Sequence, residues 1–241
     1  MTIEPNSPEF YTILGFTLFI VALKSVVFGY LFKKVRDKKK RDEKQGMDFI
    51  QGVEIFILGL LISRIFYIVF DFYYTKFDTD LYYLSPNIWF WKLGMIFANF
   101  GIAYVVHVVD VKILNKKYKD IFTYIILAGI VLIFAYPVNN LKDFQIISLL
   151  SIIPQLGVIF IPVIFFKIGR SSSGEIRKTS FAIFYAMLFY ALGAMLVNAG
   201  IIDYFNNLFN QDLDVYFYLV RAILKTIGVV LFAYGAVKFR A

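Results

Sequence analysis

Cysteine is absent from this 241-residue chain, and histidine occurs once, as His107. The first absence excludes a disulfide framework, a thiolate nucleophile and a thiolate metal site. The second excludes a bis-histidine haem. Charge is also scarce: 17% of residues are Asp, Glu, Lys or Arg, where a soluble domain carries about 25%. The first nine residues hold Glu4 and Glu9 but no Lys or Arg. A cleavable signal peptide starts with a positive region, so the first apolar run is expected to be a retained helix.

What is present is apolar. Hydrophobic residues make up 60% of the chain and aromatics 20%, and the mean hydropathy is +0.71. The apolar residues come in runs, and a run of about 20 crosses the hydrocarbon layer. Without water the backbone must satisfy its own hydrogen bonds, which makes such runs helices. Runs at 10–32, 49–73, 87–111, 121–138, 145–167, 179–202 and 215–237 predict an all-α, seven-transmembrane bundle forming one domain over 1–241. The fourth run is short and ends at Pro137. The intervening loops are short and leave no room for a soluble domain.

The net charge of +8 does not point to nucleic acid, because the basic residues lie between the spans. The 33–48, 112–120 and 167–178 connections, with Lys238 and Arg240, hold 18 of the 25 Lys and Arg. Only Lys76 and Lys142 lie on the opposite side. Positive loops stay cytoplasmic, so an odd number of spans is expected, with the N-terminus outside and the C-terminus inside. The outer side is acidic, through Glu4, Glu9, Asp78, Asp80, Asp143, Asp203, Asp212 and Asp214. Aromatic residues gather at its boundary (Tyr82, Tyr83, Trp89, Trp91, Tyr204, Phe205, Tyr216 and Tyr218), as amphipathic rings do at headgroup level. Abundant Ile, Lys, Phe and Tyr hint at a prokaryote with an AT-rich genome.

Ionisable side chains at membrane depth cost about 2.5–3.5 kcal/mol each on insertion scales and mark functional positions. Counting about 1.5 Å per residue along each helix sorts them into two groups. Lys24 and Glu54, in the inner halves of spans one and two, are expected to form a buried ion pair. Arg64, Lys92, Arg221 and Lys225 gather towards the outer half, with Asp71 the acid nearest in depth. Arg221 and Lys225 share one helical face at i, i+4. Four cations need counter-charges. Either outer acids such as Asp212 and Asp214 fold over them, or an outward-opening polar pocket takes an anionic ligand. Lys92 has a further option, snorkelling to the headgroups. His107 and Asp110 lie near the inner end of span three. Asn99 and Asn198 are expected to hydrogen-bond between helices. No nucleophile, acid–base pair or metal-ligand set converges, so the sequence points away from an enzyme, and no cofactor is expected.

Three families share features with the chain. In SSSGEIRKTSFAIFYAMLFYALGAMLV, Gly174, Arg177, Lys178, Leu192 and Gly193 resemble the loop and sixth helix of the seven-helix membrane sensor regions of archaeal and bacterial histidine kinases. Spans two (LLISRIFYIVFDFYY) and seven (LKTIGVVLFAYGAVKF) are similar in kind. That resemblance implies a standalone, receptor-like sensor that signals through a separate cytoplasmic partner, and it transfers no catalytic residue. Lys225, mid-way along the seventh span, resembles the retinal lysine of microbial rhodopsins. Their carboxylate one turn earlier is Arg221 here, however, and a neighbouring cation disfavours a protonated Schiff base. Pro154-Gln155 resembles the motif of PQ-loop transporters, although span one has no matching proline. The expected function is therefore sensory, with small-solute transport as the alternative. The expected partners are membrane lipids and a cytoplasmic signalling protein at the basic loops 33–48, 112–120 and 167–178. Lipid alone accounts for those loops, at about 1 kcal/mol per basic residue.

Overall fold

The computed structural model describes residues 4–43, 46–196, 199–211 and 213–239. Expectations placed on Asn198 and Asp212, and on Lys44 and Arg240, fall outside the described residues.

Helix is the dominant structure of the described residues, with no strand among them. Helix α1 spans Pro8–Lys40, and α2 spans Met47–Ile68 and runs on as a π-helical turn, Val69–Tyr74. Helix α3 (Asn87–Val108) ends the same way over Val109–Ile113. Then come α4 (Ile121–Ala135), α5 (Leu141–Leu150), α6 (Ile152–Val158), α7 (Phe160–Ser171), α8 (Gly174–Met195), α9 (Ala199–Phe209) and α10 (Asp214–Lys238). Six stretches are long and apolar enough to cross a membrane: Pro8–Lys40, Met47–Tyr74, Asn87–Ile113, Leu141–Ser171, Gly174–Met195 and Asp214–Lys238. The chain is thus a multi-pass helical membrane protein. The fourth expected span is the shorter apolar helix α4, of 15 residues.

Local chemistry explains several boundaries. Ser7 caps α1, accepting from the Phe10 N–H at 3.1 Å, and Asn140 caps α5, accepting from the Asp143 N–H at 2.9 Å. Helix α1 does not stop near residue 32 as expected. It continues through the basic run to Lys40, because Lys and Arg are good helix formers and cations suit a helix C-terminus. At 33 residues it is about 50 Å long, well beyond a hydrocarbon layer of about 30 Å. The first half of the basic 33–48 segment is therefore a helix end that runs beyond the hydrocarbon length. The Leu141–Ser171 stretch is divided at Ser151 and Ile159 around Pro154. Pro154 packs where a Cβ on Gly129 of α4 would lie.

Among the described residues the long helices pack in a closed ring. Helix α1 packs on α2, α2 on α3, α3 on α4 and α4 on α6; α7 packs on α8, α8 on α10, and α10 returns to α1. Two of these seams depend on glycine, whose missing side chain lets backbones approach in a membrane. A Cβ on Gly59 would lie 2.6 Å from the Phe97 carbonyl of α3, and one on Gly228 would lie 2.8 Å from the Ala186 carbonyl of α8. The main core runs from mid-depth to the basic end. There Phe49, Phe165 and Phe239 join α2, α7 and the end of α10. A second apolar cluster caps the opposite end, with Phe10 and Ile13 of α1, Phe72, Phe77, Ile202 of α9 and Tyr218 of α10.

Candidate functional site

The ring order makes α1, α2 and α10 mutual neighbours, and their cations converge. Lys24 from α1, Arg64 from α2, and Arg221 and Lys225 from α10 all lie within electrostatic range of one another. Lys24, Arg64 and Arg221 are buried, at 3%, 8% and 9% exposure; Lys225 is half-buried. Gly193 of α8 makes room for the Lys225 stem, since a Cβ there would lie 3.1 Å from the Lys225 Cγ.

Few hydrogen bonds hold these charges. The Arg64 guanidinium donates to the Thr17 hydroxyl at 2.9 Å. The Lys24 ammonium donates to the Leu60 carbonyl at 3.3 Å. Arg221 and Lys225 make no hydrogen bond or ion pair among the described residues, and the Nε atoms of both arginines are buried without a partner there. Aromatic faces carry the rest. The Tyr190 ring of α8 lies between two ammonium groups, Lys225 at 5.2 Å and Lys24 at 5.8 Å from its centroid. The Arg221 guanidinium lies 5.5 Å from the Tyr218 centroid. Cation–π contacts of this kind contribute about 0.5–2 kcal/mol, most where water is excluded.

Among the described residues one carboxylate, Asp71, lies within electrostatic range of the two arginines. It sits on the π-helical turn ending α2. Among the described residues the four cations thus outnumber the acids within their range, and neither arginine forms an ion pair there. At the rim, Tyr82 is pushed well above the ordinary phenol range by burial, with the Asp71 charge adding to the effect. It therefore stays a protonated donor.

Two expectations are corrected. Lys24 and Glu54 form no ion pair among the described residues. The ammonium instead meets the Leu60 carbonyl, six residues further along α2, or about 9 Å at helical rise. Depth counted from the apolar run misplaced Lys24, because α1 extends so far past that run. Lys24 joins the cation cluster, and Glu54 stays half-buried elsewhere on α2. Lys92 does not join it. Its ammonium donates to the Phe134 and Tyr136 carbonyls at 3.2 and 2.7 Å and lies 5.0 Å from the Trp89 centroid. It closes the C-terminus of α4, where free carbonyls and the helix dipole favour a cation.

Sequence reasoning missed Thr17, Tyr67, Tyr190 and Tyr218. Helical spacing carried a signal for two of them. Tyr67 lies three residues after Arg64, and Tyr218 three before Arg221, so each shares a face with its arginine. Tyr67 is within electrostatic range of Arg64, Arg221 and Asp71. Tyr190 and Thr17 come from other helices and needed the ring order.

A second polar centre lies at the basic end. Asp110, 1% exposed on the π-helical end of α3, accepts the Tyr118 N–H at 3.0 Å and the Asp120 N–H at 2.7 Å. Its own carbonyl accepts the Lys116 N–H at 2.8 Å. Asp120 in turn meets the His107 Nδ1 at 2.8 Å. This network shapes the 112–120 loop, where Asn115, Lys116, Lys119 and Asp120 all adopt positive φ. Lys112 pairs with Asp48 at 2.9 Å. Asn99 does not bridge helices as expected. Its amide donates to the Met95 carbonyl of its own helix at 2.9 Å, and its Oδ1 has no partner among the described residues.

Among the described residues no group of three or more His, Cys, Asp or Glu side chains is placed to hold a metal ion. No protein-family model matches the sequence, and no curated protein and no solved structure matches it.

Proposed function

We propose that the chain is a seven-helix, receptor-like protein of the cell membrane that binds a small anion among Lys24, Arg64, Arg221 and Lys225. The carrying observation is the imbalance among the described residues: four cations from three helices gather with one carboxylate, Asp71, in range of the two arginines, and two buried guanidinium Nε atoms lack partners. A carboxylate or phosphate accepts bidentate bonds from arginine and would supply the missing charge. Because the site joins α1 and α2 to α10, an anion there favours one packing of these helices over others, which is how a ligand shifts a conformational equilibrium.

Helix α4 is the seventh crossing in this reading, with Lys92 completing its short end. The N-terminus lies outside and the basic ends face the cytoplasm, as the distribution of Lys and Arg favours. The resemblance to histidine-kinase sensor regions is consistent with signalling through a cytoplasmic partner at 33–48, 112–120 and 167–178. The chemistry is binding, not catalysis.

The test is the melting midpoint of the detergent-purified protein against phosphate, citrate, succinate and acetate. One anion should raise the midpoint, and Arg221→Met or Lys225→Ala should remove that rise. A wild type indifferent to every anion, or variants that respond like wild type, would refute the proposal. The divided Leu141–Ser171 stretch favours a second reading, a small-solute transporter of PQ-loop-like topology, since transporters use interrupted helices. Uptake of labelled solute into proteoliposomes would establish it. Retinal on Lys225 is disfavoured by the adjacent Arg221, and adding all-trans retinal should produce no visible band.

A further inference from the structure

The outer faces of α7 and α8 form a groove of about 410 Å³ lined by Val163, Phe166, Lys167, Arg170 and Phe184. It has two chemically distinct parts. Val163 and Phe166 are exposed apolar residues on a helix within a membrane-crossing stretch, one to two turns before Arg170. At the basic end two of the cations lie over aromatic faces. The Arg170 guanidinium lies 5.9 Å from the Phe166 centroid, and Arg177 of α8 lies 5.9 Å from Phe181. The two rings are 6.1 Å apart. Among the described residues Lys167, Arg170 and Arg177 form no ion pair, although Glu175 is nearby in the chain. Gly169 lets the helices close behind this patch, since a Cβ there would lie 3.2 Å from the Phe181 ring.

We infer that this groove is a binding site for one anionic glycerophospholipid, with the phosphate on Lys167 and Arg170 and an acyl chain along Val163, Phe166 and Phe184. Charge complementarity selects this occupant. A zwitterionic lipid brings a choline or ethanolamine cation towards three cations that already lack counter-charges. An anionic headgroup supplies the charge, and its chain covers apolar surface that already faces hydrocarbon. Basic pockets between helices at the cytoplasmic boundary suit such headgroups. The site depends on the proposed orientation only for naming the leaflet as cytoplasmic, and it shares no residue with the cluster around Arg221.

The test titrates the full chain in detergent with phosphatidylglycerol or phosphatidylcholine and counts retained lipids by native mass spectrometry. Wild type should hold one phosphatidylglycerol in clear preference to phosphatidylcholine. Lys167→Gln with Arg170→Gln should weaken it roughly 30-fold. Phe184→Ala should also weaken it, by removing the wall of the chain-binding part. Lys39→Gln with Lys40→Gln removes the same charge from the exposed end of α1 and should keep the tight lipid, as should Arg221→Met. Equal retention of the two lipids would overturn the inference. So would undiminished binding in the Lys167/Arg170 variant, or an equal loss in the Lys39/Lys40 variant. Displacement of the lipid by soluble glycerol phosphate at matching concentration would also overturn it, showing a phosphate site with no use for the acyl chain. Loss of the lipid in Arg221→Met would merge the two sites and refute it as well.

Discussion

At the basic end of α3 one buried carboxylate, Asp110, accepts two backbone N–H groups and orders a loop. Between α1, α2 and α10, four cations cluster, and among the described residues Asp71 lies within range of the two arginines without pairing with either. Both acids sit on π-helical turns that end a long helix, a feature common at functional positions. The local backbone is alike, and the difference lies in how completely each group is paired. A satisfied polar centre holds its surroundings in one arrangement. An unbalanced one carries a standing electrostatic cost, which a ligand of the right sign relieves. Lys92 belongs with the first kind, since two carbonyls and a tryptophan face occupy it.

This contrast predicts opposite signs for polar-to-apolar changes in the two regions. Asp110→Ala should cost the most, about 3 kcal/mol or more, because hydrogen bonds to a charged group contribute about 1.5–3 kcal/mol each. The readout is chemical denaturation in detergent, and the anion response should survive. Arg221→Met should instead be neutral or stabilising by about 1–2 kcal/mol, as apolar replacement of buried charge often is, while the anion response disappears. A destabilised Arg221→Met would break the comparison, because it would show the cluster to be internally balanced. Lys92→Met should lower stability by about 1–2 kcal/mol by freeing two carbonyls and leave the anion response unchanged. His107→Gln removes an exposed pair and should cost less than about 0.5 kcal/mol. A larger loss would tie His107 to the Asp110 network more tightly than its exposure suggests.

Much of the fold was legible in the hydrophobic pattern. Runs at 49–73, 87–111 and 215–237 correspond to Met47–Tyr74, Asn87–Ile113 and Asp214–Lys238, since apolar length alone dictates a helix in lipid. The pattern was silent where helix and membrane part company. Helix α1 continues for eight residues beyond its run, whereas the break near Pro154 is one that proline in the sequence foretells. The site was half legible. Arg64, Arg221 and Lys225 were named from depth, and they do meet. Lys24 and Lys92 were assigned to the wrong company, because a lysine stem reaches several ångströms along or across a helix and because depth says nothing of ring order. Only the closure of α10 on α1 brings Lys24 to Tyr190.

The aromatic cap at the end opposite the basic loops would give the proposed anion site a clock. Phe10, Phe72 and Phe77 meet edge to face, with centroids 5.1–6.1 Å apart, and Tyr218 completes the layer. Anything reaching the arginines from that side must wait for packed rings on three segments to part together, a collective event of microseconds to milliseconds rather than a single rotamer flip. The same obstruction slows departure by the same factor. For the proposed anion, affinity would be set by the charges below and residence time by the rings above, so the two could be tuned independently.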